Sequence, residues 1–160
     1  MPELPFPESV LNLIRAALAE DIGHGDVTSE YFVPQNAISV GHIVAREPGV
    51  TAGAHVAAQV FMEVDARLIV KTVKEDGEPF ERGDTLLTIA GPTPSILTGE
   101  RVALNFLQRL CAIATRTREY VAAVQPHPVQ ILDTRKTTPG FRWLEKTAVR
   151  AGGGANYRMG

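Results

Sequence analysis

Apolar positions recur along this chain with two different periods, and the change of period divides it. Between Pro7 and Glu20, Val10, Ile14, Ala17 and Leu18 form one helical stripe, with Gly23 as a stop signal. Asp21 to Asp26 then reads as a turn-rich loop. From Ser39 to Ile89 the pattern shifts to short β-type runs, such as His42-Ile43-Val44-Ala45, Leu68-Ile69-Val70 and Thr85-Leu86-Leu87-Thr88-Ile89. Glu47-Pro48-Gly49, Asp76-Gly77 and Arg82-Gly83-Asp84 supply turns between them, and Gly53 to Val64 reads as an intervening helix. Gly91-Pro92-Thr93-Pro94 is expected to be a connector.

The helical period returns in a long segment predicted from Thr98 to Val124. Thr98 serves there as N-cap, Glu100 lies in the first turn, and Pro126 and Pro128 follow as stops. Ala103, Phe106, Leu107, Leu110, Ile113, Ala114, Val121 and Val124 make its apolar face, while Arg101, Asn105 and Gln108 share a polar one. That polar face reads either as a solvated surface or, at Arg101, as an anion contact. Val129-Gln130-Ile131-Leu132 is short and apolar, fit for a buried strand that Asp133 closes. A loop over 134–140, a helix over 141–150 stopped by Gly152-Gly153-Gly154, and a second strand from Ala155 complete a βα unit leading into another β. Ligands of α/β proteins bind at the carboxyl ends of strands, which singles out the 134–140 loop.

Charge sharpens this picture. The net charge of −2 conceals a split: residues 1–100 carry 6 basic and 15 acidic side chains, residues 101–160 carry 10 and 3. A basic half implies anionic partners. The basic residues are not interleaved with aromatics and no nucleic-acid motif occurs, so small anionic metabolites are expected rather than nucleic acid. No apolar run approaches a membrane span, and the first residues lack the basic and apolar regions of a secretory signal. A single cysteine, Cys111, fits a reducing compartment, and a cytoplasmic location is expected. Cys111 sits mid-helix among Leu110, Ala112 and Ile113 and reads as a core residue rather than a nucleophile. His24, His42, His55 and His127 have no metal-ligand spacing.

The 134–140 loop concentrates anion chemistry. Arg135 offers a planar fork for carboxylate or phosphate, Lys136 a compact charge, and Thr134, Thr137 and Thr138 hydroxyl donors. Arg158 falls at the neighbouring strand position. Taken alone, such a loop is more often simply solvated than a binding site. As a whole string, DTRKTTPGFRWLEKTAVRAGGGANYRMG at 133–160 closely resembles the signature of the quinolinate phosphoribosyltransferases. LAEDIGHGDVTSE at 18–30, VAREPGVTAG at 44–53 and GERVALNFLQRLCAIAT at 99–115 resemble the same family in the same order.

The resemblance implies an α+β, sandwich-like N-terminal domain over 1–125, including a linking helix at 98–124. The first βα unit of an incomplete α/β barrel follows over 126–160. It implies transfer of phosphoribosyl from phosphoribosyl pyrophosphate to quinolinate with decarboxylation, a magnesium requirement, and a homodimer or higher homo-oligomer. Matched residue by residue, Arg135 and Arg158 would hold the quinolinate carboxylates with Thr134 and Tyr157 beside them. Lys136 would lie by phosphoribosyl pyrophosphate, and Arg101 would reach quinolinate from a neighbouring subunit. The resemblance names no catalytic residue, and the magnesium ligands are expected in barrel segments after Gly160. One position departs: Tyr157 stands where the family usually has histidine, and a phenol cannot become a cation as imidazole can.

Two further readings stand beside this one. The first is a family member without activity. The second is a carrier module, because Glu78 to Leu87 is similar to a biotinyl or lipoyl hairpin, though Lys71 and Lys74 lack its tip context. A lone βα unit leaves strand edges unpaired, so 129–160 is expected to be a weakly protected appendage and the 160 residues alone to be inactive.

Overall fold

The computed structural model describes residues 6–23, 33–34 and 36–158. Helix α1, Glu8–Ile22, buries Val10, Ile14 and Leu18, the predicted stripe. It runs two residues beyond Glu20, so Asp21 and Ile22 are helical; Gly23, at φ 54, ends it, its N–H bonded to the Ala19 carbonyl. The rest of the predicted loop, 24–26, lies outside the described residues.

Strands β1 (Ile38–Val44), β3 (Ile69–Thr72) and β5 (Thr85–Pro92) form an antiparallel sheet in the order β1-β5-β3. β2 (Gly49–Val50) and β4 (Pro79–Phe80) make a separate two-stranded ribbon. The sheet is one-sided: Leu87 and Ile89 of β5 are buried, whereas Ile38, Val40 and Ile69 are exposed on the edge strands. Helix α2, Ala54–Val64, packs on the sheet and buries Ala54, Val56, Ala57, Val60 and Phe61. Its first turn is held from a distance, since the Asp76 carboxylate accepts the N–H groups of Gly53 and Ala54, each at 3.0 Å. A carboxylate there satisfies orphan donors and complements the helix dipole.

The long helix departs from expectation at its start. Helix α3 spans Thr93–Ala123, and no connector separates it from β5. Gly91 and Pro92 still pair with Ser39 and Ile38, and the Thr93 N–H then bonds the Ala37 carbonyl at 2.9 Å. Pro94 is tolerated because a first-turn residue has no intrahelical acceptor to lose. Thr98 is therefore interior, not a cap, and its hydroxyl bonds back to the Pro94 carbonyl at 3.0 Å. Glu100 lies beyond the first turn for the same reason.

The C-terminal segment differs in two ways. The run 129–132 is not a buried strand: Val129 and Leu132 are about half exposed, and its ladder reduces to one parallel bridge, Leu132 to Ala155. That bridge does match the predicted start of a second strand at Ala155. Helix α4, Arg142–Ala151, by contrast docks firmly against α3, with Leu144 and Ala148 inside the same core cluster as Leu110 and Ala114. The expected weak appendage thus describes 129–132 better than α4. Among the described residues, helices pack on an antiparallel sheet and no barrel closes.

The α3–α4 junction is close at Gly152, where an added Cβ would meet the Ala114 carbonyl and lie 2.6 Å from the Thr117 Cβ. Gly152 has an ordinary φ of −71, so space and not backbone strain excludes a side chain. Gly152→Ala should cost about 1–3 kcal/mol through overpacking. An unchanged urea midpoint would show that α4 is not seated as described.

Candidate substrate-binding site

Two chain segments end side by side. The Ala155 N–H donates to the Ile131 carbonyl at 2.8 Å, and the Asp133 N–H to the Ala155 carbonyl at 3.1 Å. This parallel pairing brings residues 134–136 and 156–158 to the same, C-terminal end. Thr134, Arg135, Lys136, Tyr157 and Arg158, all singled out from sequence, are therefore gathered by one short stretch of backbone.

Their local geometry leaves cations available. The Thr134 hydroxyl accepts the Lys136 N–H at 3.1 Å, a side-chain turn that shapes the loop. Arg135 and Lys136 are exposed, and neither side chain makes a hydrogen bond or ion pair with another described residue. Arg158 adopts φ 58, unusual for a residue with a Cβ, and its guanidinium lies 5.1 Å from the Tyr157 ring centroid.

Arg101 is not part of this group. It is exposed near the start of α3 and pairs with Asp21 at 2.9 Å. It precedes Arg109 by two helical turns, roughly 12 Å along the axis.

Sequence reasoning passed over the groups that hold the loop. At one end, the Lys146 ammonium pairs with Asp133 and donates to the Tyr157 carbonyl at 3.1 Å, while Asp133 Oδ1 accepts the Tyr157 N–H at 2.8 Å. At the other, Arg109 bonds both Glu145 and the Thr138 hydroxyl, and Glu145 Oε2 accepts the Thr138 N–H at 3.3 Å. The Arg109 guanidinium also covers Phe141, which stacks on Phe106. Nothing in the residue spacing signals these pairs, because each joins segments that only the tertiary fold brings together. Cys111 is buried as expected; burial pushes its thiol up to about 11, partly offset by a hydrogen bond with Ala52 and reinforced by the charge of Asp76. It is a core residue.

Among the described residues no three His, Cys, Asp or Glu side chains gather closely enough to hold a metal ion. Nor is any helix among them long and apolar enough to cross a membrane.

Known proteins share this architecture. The nicotinate-nucleotide pyrophosphorylase of Francisella tularensis superposes with a TM-score of 0.91 at 35% identity, over 98% of this chain and 56% of that one. A Bacillus subtilis protein named probable nicotinate-nucleotide pyrophosphorylase (carboxylating) is 43% identical over 148 residues, 92% of this chain and 51% of that protein. The Mycobacterium leprae nicotinate-nucleotide pyrophosphorylase (carboxylating) is 43% identical over 157 residues, 96% of this chain and 55% of that protein. The helix-and-sheet fold is therefore that of the nicotinate-nucleotide pyrophosphorylases. The N-terminal domain of quinolinate phosphoribosyl transferase matches residues 26–111 and its C-terminal domain matches 113–160, and the chain belongs to this family. It spans about half the length of the curated relatives it matches.

The Glu145 tie makes a pH prediction. Burial alone would raise the Glu145 carboxyl, but hydrogen bonds from Arg109 and Thr138 outweigh it and hold the group below its ordinary 4.5. A depressed folded value means the tie stabilises fully above the unfolded value and is lost as pH falls through the folded one. Acidification through the folded value should lower the protection of the Thr138 amide, relative to its intrinsic exchange rate at each pH, before the α2 core opens. A Glu145 titration midpoint at or above 4.5 would contradict this.

Proposed function

We propose that this chain forms part of an enzyme that transfers phosphoribosyl from phosphoribosyl pyrophosphate to quinolinate, giving nicotinate mononucleotide, carbon dioxide and pyrophosphate in NAD biosynthesis. Family membership supports the reaction. The observation that carries the site is the pair of cations, Arg135 and Lys136, left without a described protein partner at a strand end beside Arg158.

The chemistry matches that charge pattern. Quinolinate carries two carboxylates, and its co-substrate carries a 5′-phosphate and a pyrophosphate. Arg135 and Arg158 hold the carboxylates, with Thr134 and Tyr157 donating hydrogen bonds beside them. Lys136 faces the phosphoribosyl side. The pyridine nitrogen attacks the anomeric carbon as the bond to pyrophosphate breaks, through a state with oxocarbenium character. The ring nitrogen, now cationic, accepts the electron pair released when carbon dioxide leaves the adjacent carbon. No protein nucleophile is required, so positioning and electrostatic stabilisation supply the rate. Tyr157 contributes a neutral donor where histidine would add charge at lower pH.

Arg101 acts across a homodimer or higher homo-oligomer, on the site of a neighbouring subunit. Its pairing with Asp21 is exposed and costs little to exchange for a substrate carboxylate. Magnesium belongs to the family reaction, and no step here is routed through it. The finer architecture is a sandwich-like domain over 1–125 followed by the first βα unit of an incomplete barrel, in a cytoplasmic protein. Against a carrier role, Lys74 is tied to Asp84 at 3.2 Å and to the Pro79 carbonyl at 3.3 Å.

In a form spanning the full length of the relatives, Arg135→Ala should weaken quinolinate binding and Lys136→Ala phosphoribosyl pyrophosphate binding, each by about 2–3 kcal/mol. Calorimetric titration of both substrates checks this. Unchanged affinities in both variants, or a wild-type form that releases no carbon dioxide from quinolinate, would overturn the reading.

A further inference from the structure

We infer that Lys146 and Asp133 are a positioning pair, fixing the 156–158 strip against the 134–136 strip so that their cations face one ligand. This rests on the substrate-binding role given to Arg135 and Arg158 above.

The pair is almost wholly buried, with side-chain exposures of 1% for Lys146 and 2% for Asp133. Buried ion pairs seldom add net stability over apolar side chains of similar size, because desolvation cancels most of the attraction. Stability alone is thus a weak reason for a buried lysine on α4, two residues from both Leu144 and Ala148 and so on the other side of the helix from them. What an apolar pair would not supply is the pattern of bonds to one residue. Lys146 donates to the Tyr157 carbonyl and Asp133 accepts the Tyr157 N–H, so both backbone groups of Tyr157 are held by side chains. Asn156 completes the network: its amide, oriented to suit its neighbours, donates to the Lys146 carbonyl at 2.9 Å and to Asp133 Oδ2 at 3.0 Å.

The consequence falls on Arg158. The peptide that Lys146 grips joins Tyr157 to Arg158, and Arg158 then turns at φ 58. A residue with a Cβ keeps that conformation only where its surroundings fix it. Asp133 meanwhile immediately precedes Thr134 and Arg135. One ion pair therefore references both cationic strips to each other, without Lys146 or Asp133 needing to touch substrate.

Positioning separates from stability in the double variant Asp133→Leu/Lys146→Met, which keeps apolar volume and removes every bond to Tyr157. In a form spanning the full length of the relatives, thermal midpoint, amide exchange and quinolinate affinity are compared for wild type, the double variant and Leu144→Ala, a core truncation in the same helix. The double variant should keep a midpoint close to wild type. Its Tyr157 amide should exchange at least about tenfold faster relative to the α4 amides, and its quinolinate Kd should rise about tenfold. Leu144→Ala should lower the midpoint without singling out Tyr157. Should the double variant not fold, Asp133→Leu, which removes the acceptor of the Tyr157 N–H, gives the exchange comparison normalised to α4. Tyr157 exchange equal to wild type, or raised only in step with global loss as in Leu144→Ala, overturns the inference. A wild-type chain that binds no quinolinate counts against the substrate reading, and the exchange comparison still decides the positioning role.

Discussion

The buried stripe of α3 is the constraint on which the rest of the structure depends. Val102, Ala103, Phe106, Leu107, Leu110, Cys111 and Ala114 are each at most 8% exposed, and α1, α2, α4 and strands β1, β2 and β5 all contact this helix. At 31 residues α3 is long enough, roughly 46 Å, for several elements to pack along it. Small residues set the closest approaches. Gly99 lies under Phe61 of α2, Gly53 under Leu110, and Gly152 against the α3 backbone at Ala114. These contacts carry the hydrophobic stabilisation, and they also fix where charged side chains on the outer turns of α3 can reach.

That reach links the core to the site. Arg109 follows directly from the buried Phe106-Leu107 turn, and its guanidinium meets Glu145 and Thr138 on the far side of the cationic loop. The opposite end of the loop is fixed from α4 by Lys146, which pairs with Asp133 at the start of the loop. The loop between them keeps Arg135 and Lys136 clear of described protein partners. Groups that bind anions must be rigidly placed yet not already neutralised, because reorganisation and competition both weaken the ligand contact. Here the neutralised charges hold the loop, Lys146 through the Tyr157 carbonyl and Arg109 through the Thr138 hydroxyl, and the uncompensated ones stand at the strand end.

Local signals carried the sequence reading a long way. The α1 stripe, the Gly53–Val64 helix, the β-type runs and the Gly152 stop all follow from period and turn chemistry, and the structure retains them. At the start of α3, Gly-Pro-Thr-Pro looks like a connector, whereas Gly91 and Pro92 finish a strand and Pro94 fits a first helical turn. Hydrophobicity alone predicts burial of 129–132, but burial needs neighbours and its pairing reduces to Ala155. At the site, Thr134, Arg135, Lys136, Tyr157 and Arg158 were legible as motif residues. Lys146, Asp133, Arg109, Glu145 and Asp76 were not, because their partners lie far along the chain and nothing in a one-dimensional pattern pairs them.

The most direct measurement is a crystal structure of the full-length form with quinolinate bound. The account predicts one quinolinate at the ends of the 131–133 and 155 segments, its carboxylates within hydrogen-bond distance of Arg135 and Arg158, and Lys136 facing the ring nitrogen's open side. A ligand bound elsewhere, or bound here with both arginines turned to solvent, would contradict it.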